Sequence, residues 1–279
     1  MLKLMYITNE PEVALIAEGA GVDRIFIDME YIGKSSRQRG MDTVQSHHTV
    51  DDVKKIKQVV NKAQIMVRVN PIHDKTREYC SSEEEINAVI DAGADLVMLP
   101  YFHGAEDIRR FVKAVDGRAK VFPLLESKDA FEHIDEILEV PGINEIHIGL
   151  NDLSLDLKKK FMFELLTDGT VEMLCEKFRR KGIPYGFGGI GRLGKGDIPA
   201  ECVIKEHYRL GSTCAILSRS FCNVNVVKDK KEIEKIFDKG IKEIRNLEKE
   251  CMFHQTYFTG NEAFVKTKVK TIVGMRYSN

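Results

Sequence analysis

Short apolar runs and longer amphipathic stretches alternate along the whole chain. Eight runs stand out, at 2–8, 24–30, 65–70, 96–101, 121–126, 145–152, 184–189 and 214–221. Most are rich in Val, Ile, Leu, Phe and Met and have the length of a parallel strand buried on both faces, while the seventh is glycine-rich. Helical patterns fill the gaps. Thr49-Val-Asp-Asp opens one with a hydroxyl cap and first-turn acids, and Val53, Ile56, Val59 and Val60 follow on one stripe. Ser82-Glu-Glu-Glu opens another that ends at Gly93, and 104–115, 128–138, 162–181, 199–210 and 228–251 repeat the theme. Eight strands with intervening helices predict a single-domain (β/α)8 TIM barrel over residues 1–251. A doubly wound sheet also absorbs the alternation, but eight regular units favour closure. The tail, 252–279, carries Phe253, Tyr257, Phe258, Phe264, Val265, Val269, Ile272 and Val273 and is too apolar for a disordered end. It is expected to pack either on its own barrel or on a neighbouring subunit.

Barrel chemistry gathers at the C-terminal strand ends, and the polar residues of this chain fall there. Asp28 and Glu30 end the second run, Arg68 and Asn70 the third, Glu126 the fifth and Asp152 the sixth. An acid at the tip of a buried strand is costly unless it is paired or binds a metal. Glu126 and Asp152, on consecutive strands, could hold one divalent cation through oxygen ligands. Strand alternation puts Phe26, Asp28 and Glu30 on one face. Such a carboxylate pair shares protons, binds a cation, orients a base, or simply caps a turn or meets a basic residue. Arg68 can pair with either acid, or can offer fixed donors to a substrate carboxylate or enolate.

Charge narrows the partners. With 42 basic and 43 acidic residues there is no footprint for nucleic acid or an anionic membrane. No apolar stretch approaches the ~20 residues of a membrane helix, and the first residues lack a signal-peptide layout, so a cytoplasmic location is expected. The six cysteines include no C-x-x-C pair and read as reduced thiols.

Five segments in order, Ile27-Asp-Met-Glu30, Val67-Arg-Val-Asn-Pro71, Gly93-Ala-Asp-Leu-Val-Met-Leu-Pro100, Pro123-Leu-Leu-Glu126 and Gly149-Leu-Asn-Asp-Leu153, resemble the HpcH/HpaI aldolase and citrate-lyase beta-subunit family of the phosphoenolpyruvate/pyruvate barrels. The resemblance implies Mg²⁺, Mn²⁺ or Co²⁺ held by Glu126 and Asp152, with pyruvate or its enolate chelating the ion. It implies that Arg68 stabilises the enolate oxygen and that Asp28 and Glu30 order the surrounding network. Asn70, Gly149, Asn151 and Arg192 complete the expected substrate-binding set. The implied reaction splits a 2-oxo-4-hydroxy acid reversibly into pyruvate, or a related 2-oxo acid, and an aldehyde. A lyase of malyl- or citramalyl-CoA type thioesters and a non-catalytic barrel that keeps its metal site are the rival readings. A homo-oligomer is expected, because oligomers are common in the group resembled.

One position departs from the pattern. Aldolase members of that group carry His after the strand-two Glu and acyl-CoA lyase members tend to carry Asp, whereas this chain has Tyr31, which unperturbed titrates near 10. The long segment from Tyr31 to Thr49 holds Lys34, Arg37, Arg39, His47 and His48. Either histidine is a candidate base or base-orienting residue. The plain alternative is a pair of exposed histidines before a helix cap, and the three cations either meet an anionic substrate or solvate the loop.

Residues 186–191 fit G-x-G-x-x-G and 189–195 fit most of a phosphate loop, but both lack the required strand–turn–helix context, and Gly196 stands where Ser or Thr should be. They read better as a seventh barrel loop that, with Arg192 and Lys195, could receive a substrate carboxylate or phosphate.

Overall fold

The computed structural model describes residues 1–33, 46–253 and 257–277. Eight parallel strands close a barrel in sequence order: β1 (Lys3–Ile7), β2 (Arg24–Asp28), β3 (Gln64–Arg68), β4 (Leu96–Leu99), β5 (Lys120–Leu125), β6 (Ile146–Ile148), β7 (Tyr185–Ile190) and β8 (Cys214–Leu217), with β8 pairing back onto β1. The (β/α)8 barrel expected from the alternation is therefore the fold.

Each strand has two apolar faces for two different jobs. Inward side chains Met5, Phe26, Met66, Leu96, Met98, Phe122, Leu124 and Cys214 fill the barrel, and the outward residues join the larger core beneath the helices. Below this plug, fully buried Arg24 donates to Glu145 Oε1 at 2.6 Å. A buried ion pair of this kind adds little net stability, yet removing one partner strands the other charge. His147 also points inward, its Nε2 3.0 Å from the Gly188 carbonyl oxygen. Gly186 makes room for it, since a Cβ there would lie 2.7 Å from His147 Nδ1 and 2.3 Å from the Cys214 carbonyl oxygen.

Helices α1 (Pro11–Ala20), α2 (Val50–Val59), α3 (Ser82–Asp91), α4 (Ala105–Val115), α5 (Lys128–Glu132), α6 (Ile134–Ile137), α7 (Leu150–Asp156), α8 (Glu164–Thr167), α9 (Thr170–Arg180), α10 (Ala200–Leu210) and α11 (Lys230–Phe253) surround the barrel. Two of them begin with reciprocal capping boxes, Thr49 with Asp52 and Ser81 with Glu84. The cap of α3 is thus Ser81, one residue before the expected start. The helical stretches expected at 128–138 and 162–181 are each broken in two. The first breaks at His133, at φ −103° and ψ 19°, and the second at Gly169, whose φ of 89° belongs to the left-handed region.

The apolar tail forms a last helix, α12 (Tyr257–Tyr277), packed against α10 and α8 of its own chain. Val265 and Val269, four residues apart, are buried, and Asn261 donates to the Cys202 carbonyl oxygen at 3.0 Å and to Glu206 Oε1 at 2.7 Å. No helix among the described residues is long and apolar enough to cross a membrane. All six cysteines are free thiols, five of them buried and Cys80 exposed.

Candidate active site

Register places the first two functional side chains. Asp28 and Arg68 are the last residues of β2 and β3 and are direct partners in the parallel ladder, both facing the barrel axis. Arg68 meets Asp28 through two bonds, Nε to Oδ1 and Nη2 to Oδ2, each 2.8 Å. Fully buried Glu30 places Oε2 3.4 Å from Arg68 Nε. Burial disfavours the guanidinium charge, but Asp28, Glu30 and Glu126 together outweigh it and hold Arg68 above the ordinary arginine range. The bidentate clamp fixes the plane of the guanidinium and leaves Nη1 as the nitrogen Asp28 does not use.

Glu126 follows β5 directly and is 2 % exposed. Its Oε1 accepts from the Tyr101 backbone N–H at 3.2 Å. Tyr101 achieves this by adopting φ 44°, a left-handed conformation that costs a non-glycine residue of order 1 kcal/mol and clusters at functional sites. The stitching continues outward: Ser127 Oγ donates to the Phe102 carbonyl oxygen at 2.6 Å, and His103 Nδ1 lies 3.0 Å from Asp129 Oδ2. Gly149, just past β6, is a cradle for the acid. A Cβ at this position would sit 2.7 Å from Glu126 Oε2 and 3.0 Å from Glu126 Cβ.

Asp152 does not end a strand as expected. β6 stops at Ile148, and Asp152 lies in the first turn of α7, buried at 8 % exposure, with Asn151 Nδ2 3.4 Å from its Oδ1. Leu150 continues the apolar run of β6 in the sequence although its backbone is already helical, which is why the strand reads too long.

The two neighbouring histidines are separated by the fold. His47 is exposed, whereas His48 folds back on β2, its Nδ1 accepting from the Asp28 N–H at 3.0 Å. With Nδ1 accepting, a neutral His48 carries its proton on Nε2, so it presents a donor there. Lys34, Arg37 and Arg39 lie outside the described residues. Tyr31 is 40 % exposed and packs on Tyr79 at 5.5 Å between ring centroids. Its phenol is raised further, by burial first and the Glu85 charge second, away from the range of a useful base at neutral pH.

Asn70 is nearly fully buried and works as a bracket. Its Oδ1 accepts from the Tyr31 and Ile32 backbone N–H groups at 3.0 and 2.9 Å, and its Nδ2 donates to Glu85 Oε1 at 2.8 Å. Glu85 Oε2 also takes the Asn70 N–H at 3.2 Å. Sequence reading missed Glu85 and Tyr101. Arg192 lines a cleft on the outer flank against α11, and the glycines of 186–190 lie inside β7 with the next helix starting only at Ala200.

The residues fit a hard divalent cation. Glu126 and Asp152 offer oxygen donors, and the missing Cβ of Gly149 preserves the space the Glu126 carboxylate occupies. Among the described residues no group of three or more His, Cys, Asp or Glu forms a complete cage. Magnesium-type ions are commonly held by only one or two carboxylates, with water and substrate filling the octahedron.

Comparison with known proteins agrees with this architecture. Many solved structures share the fold, these three among them. An HpcH/HpaI aldolase from Desulfitobacterium hafniense DCB-2 aligns at TM-score 0.58 with 17% identity, covering 78% of this chain and 86% of that one. A HpcH/HpaI aldolase/citrate lyase family protein from Burkholderia cenocepacia J2315 aligns at TM-score 0.60 with 14% identity, over 83% and 94%. The citrate synthase SbnG aligns at TM-score 0.57 with 16% identity, over 77% and 84%. No functionally curated protein matches the sequence. The family model of HpcH/HpaI aldolase/citrate lyase matches residues 3–165, which run from β1 through α7 and include Asp28, Arg68, Glu126 and Asp152, and the chain belongs to that family of lyases.

Proposed function

We propose that this protein is a divalent-metal-dependent carbon–carbon lyase of the pyruvate-aldolase type. It reversibly cleaves a 2-oxo-4-hydroxy acid to pyruvate, or a related 2-oxo acid, and an aldehyde. The observation that carries the reading is the setting of Glu126: buried, one oxygen fixed by the Tyr101 amide, the other over Gly149, and within electrostatic range of Arg68. Glu126 and Asp152 are the residues that would hold Mg²⁺, or Mn²⁺ or Co²⁺. When bound, such an ion supplies Lewis acidity to the 2-oxo group and a second point of attachment for the substrate carboxylate.

The chain's own residues account for the rest. Cleavage leaves negative charge on the former carbonyl oxygen, and Arg68, its plane fixed by Asp28, directs Nη1 to that charge at no reorganisation cost. Glu30 and Asp28 keep the guanidinium in place as substrate enters. His48 holds the β2 tip by accepting the Asp28 N–H, and so orients the carboxylate that clamps Arg68. Asn151, beside Asp152, supplies a neutral amide to substrate oxygens, while Asn70, its amide occupied by Glu85 and by the Tyr31 and Ile32 N–H groups, holds the backbone after Glu30 instead of meeting substrate as expected. The same acids and arginine suit a 3-hydroxyacyl thioester, whereas Tyr31, neither the His of aldolase members of the group nor the Asp of its acyl-CoA lyases, favours neither substrate class.

Calorimetric titration of pyruvate, with and without Mn²⁺, into wild type and Glu126→Ala tests the proposal. Metal-dependent binding that disappears in Glu126→Ala supports it. Absence of pyruvate binding to wild type in Mn²⁺ sinks the pyruvate reading, and binding of a malyl-type thioester under the same conditions would put the thioester reading in its place.

A further inference from the structure

Outside the barrel mouth, the loop between β7 and α10 faces the outer surface of α11 across a cleft of ≈ 340 Å³. That is at the lower end of the ~300–1,000 Å³ typical of small-molecule sites. Each wall carries two cations, Arg192 and Lys195 from the loop and Lys235 and Lys239 from the helix. The last two are four residues apart and so share one helix face. Lys239 approaches Glu243 at 3.8 Å. Among the described residues no carboxylate lies within the 4.0 Å ion-pair limit of Arg192, Lys195 or Lys235. Leu193 and Ile236, both half-buried against the core, give the cleft an apolar floor. Glu232 and Glu243 also line it.

We propose that this cleft binds a nucleoside-diphosphate-sized ligand, with the diphosphate between the two cationic walls and the base on Leu193 and Ile236. Four cations against two carboxylates leave the cleft net positive, and a diphosphate between the walls offsets that excess charge. The glycine-rich segment contributes shape rather than donors. Gly194 and Gly196 take φ values of 74° and 96°, tightening the turn that carries Arg192 and Lys195. The Gly194 N–H is already given to Glu201 Oε2 at 2.8 Å and the Lys195 N–H to the Arg192 carbonyl oxygen at 3.0 Å. Recognition therefore falls to the side chains, unlike a phosphate loop, in which backbone N–H groups cradle the anion. The two carboxylates suit sugar hydroxyls or a base amino group and set the ligand's direction along the cleft.

The inference does not depend on the proposed lyase activity. ADP, pyrophosphate and adenosine are titrated into the full-length protein by calorimetry at low salt without divalent cations, so that nothing is delivered to the strand-end acids. The expected result is saturable one-to-one binding of ADP, weaker binding of pyrophosphate and the weakest of adenosine. At least a tenfold loss of ADP affinity is expected in Lys235→Ala, an exposed position whose substitution does not threaten the fold. Raising the salt should weaken ADP binding in wild type. No saturable binding of ADP or pyrophosphate, adenosine binding equal to that of ADP, or ADP affinity unchanged in both Lys235→Ala and Arg192→Ala would overturn the proposal. Pyruvate titration with Mn²⁺ on Lys235→Ala reports separately on the strand-end site.

Discussion

A single missing carbon shows how closely the strand-end acids are fitted. Gly149 has φ −80°, which any residue tolerates, so its requirement is spatial rather than conformational. In Gly149→Ala the new methyl group would lie 2.7 Å from Glu126 Oε2, and the buried carboxylate must turn away. Displacing a group that positions a metal ligand costs about 10–100-fold in metal affinity. The variant should therefore bind Mn²⁺ that much more weakly in a calorimetric titration, with a thermal unfolding temperature close to that of wild type. Unchanged Mn²⁺ affinity would detach Glu126 from the metal site. The sequence makes Glu126 conspicuous because an acid ends an apolar run, but Gly149 looks like any glycine after a strand. Its role appears only when β5 and β6 are laid side by side.

At the scale of elements, short apolar runs located all eight strands because strands buried on both faces leave that pattern whatever their neighbours are. Ends and pairings were harder to read. Glu83-Glu84-Glu85 looks like one acidic first turn, yet its members do three things. Glu83 pairs with Arg110 at 2.6 Å, Glu84 closes the capping box with Ser81, and Glu85 turns inward to Asn70. The last bond joins α3 to the end of β3, and Asn70 then joins both to the backbone after Glu30. Arg24 and Glu145, 121 residues apart, were likewise invisible as a pair. In Glu85→Ala the buried Asn70 N–H and amide lose their acceptors, which costs about 1–3 kcal/mol. Urea unfolding should show that loss, and the backbone at Tyr31 and Ile32 should exchange its amide protons faster. Unaltered exchange there would mean that Asn70 keeps its bracket without Glu85.

Across the whole molecule the ionisable groups of the barrel are layered. The Arg24–Glu145 pair closes the N-terminal end, neutral His147 and Cys214 sit in the middle, and the acids with Arg68 occupy the C-terminal end where barrel chemistry is done. Burial pushes His147 down to about 4. His207, on the outer face of β7, is stacked on Phe187 at 3.9 Å between ring centroids, and burial pushes it down to about 3. An unfolded histidine titrates near 6.5, so between pH 6.5 and the folded value the unfolded chain takes a proton that the native protein refuses. The stability due to neutral His207 is thus fully present above pH 6.5 and is lost as the pH falls toward 3, at about 1.4 kcal/mol per pH unit. The variant His207→Asn lacks this titration. It should be less stable than wild type at pH 7, where the ring stacking on Phe187 is lost, and by pH 5 the gap should narrow by about 2 kcal/mol. Urea unfolding of both proteins at the two pH values measures the difference directly, and a gap that is constant or widens toward pH 5 would show that His207 is protonated in the native state.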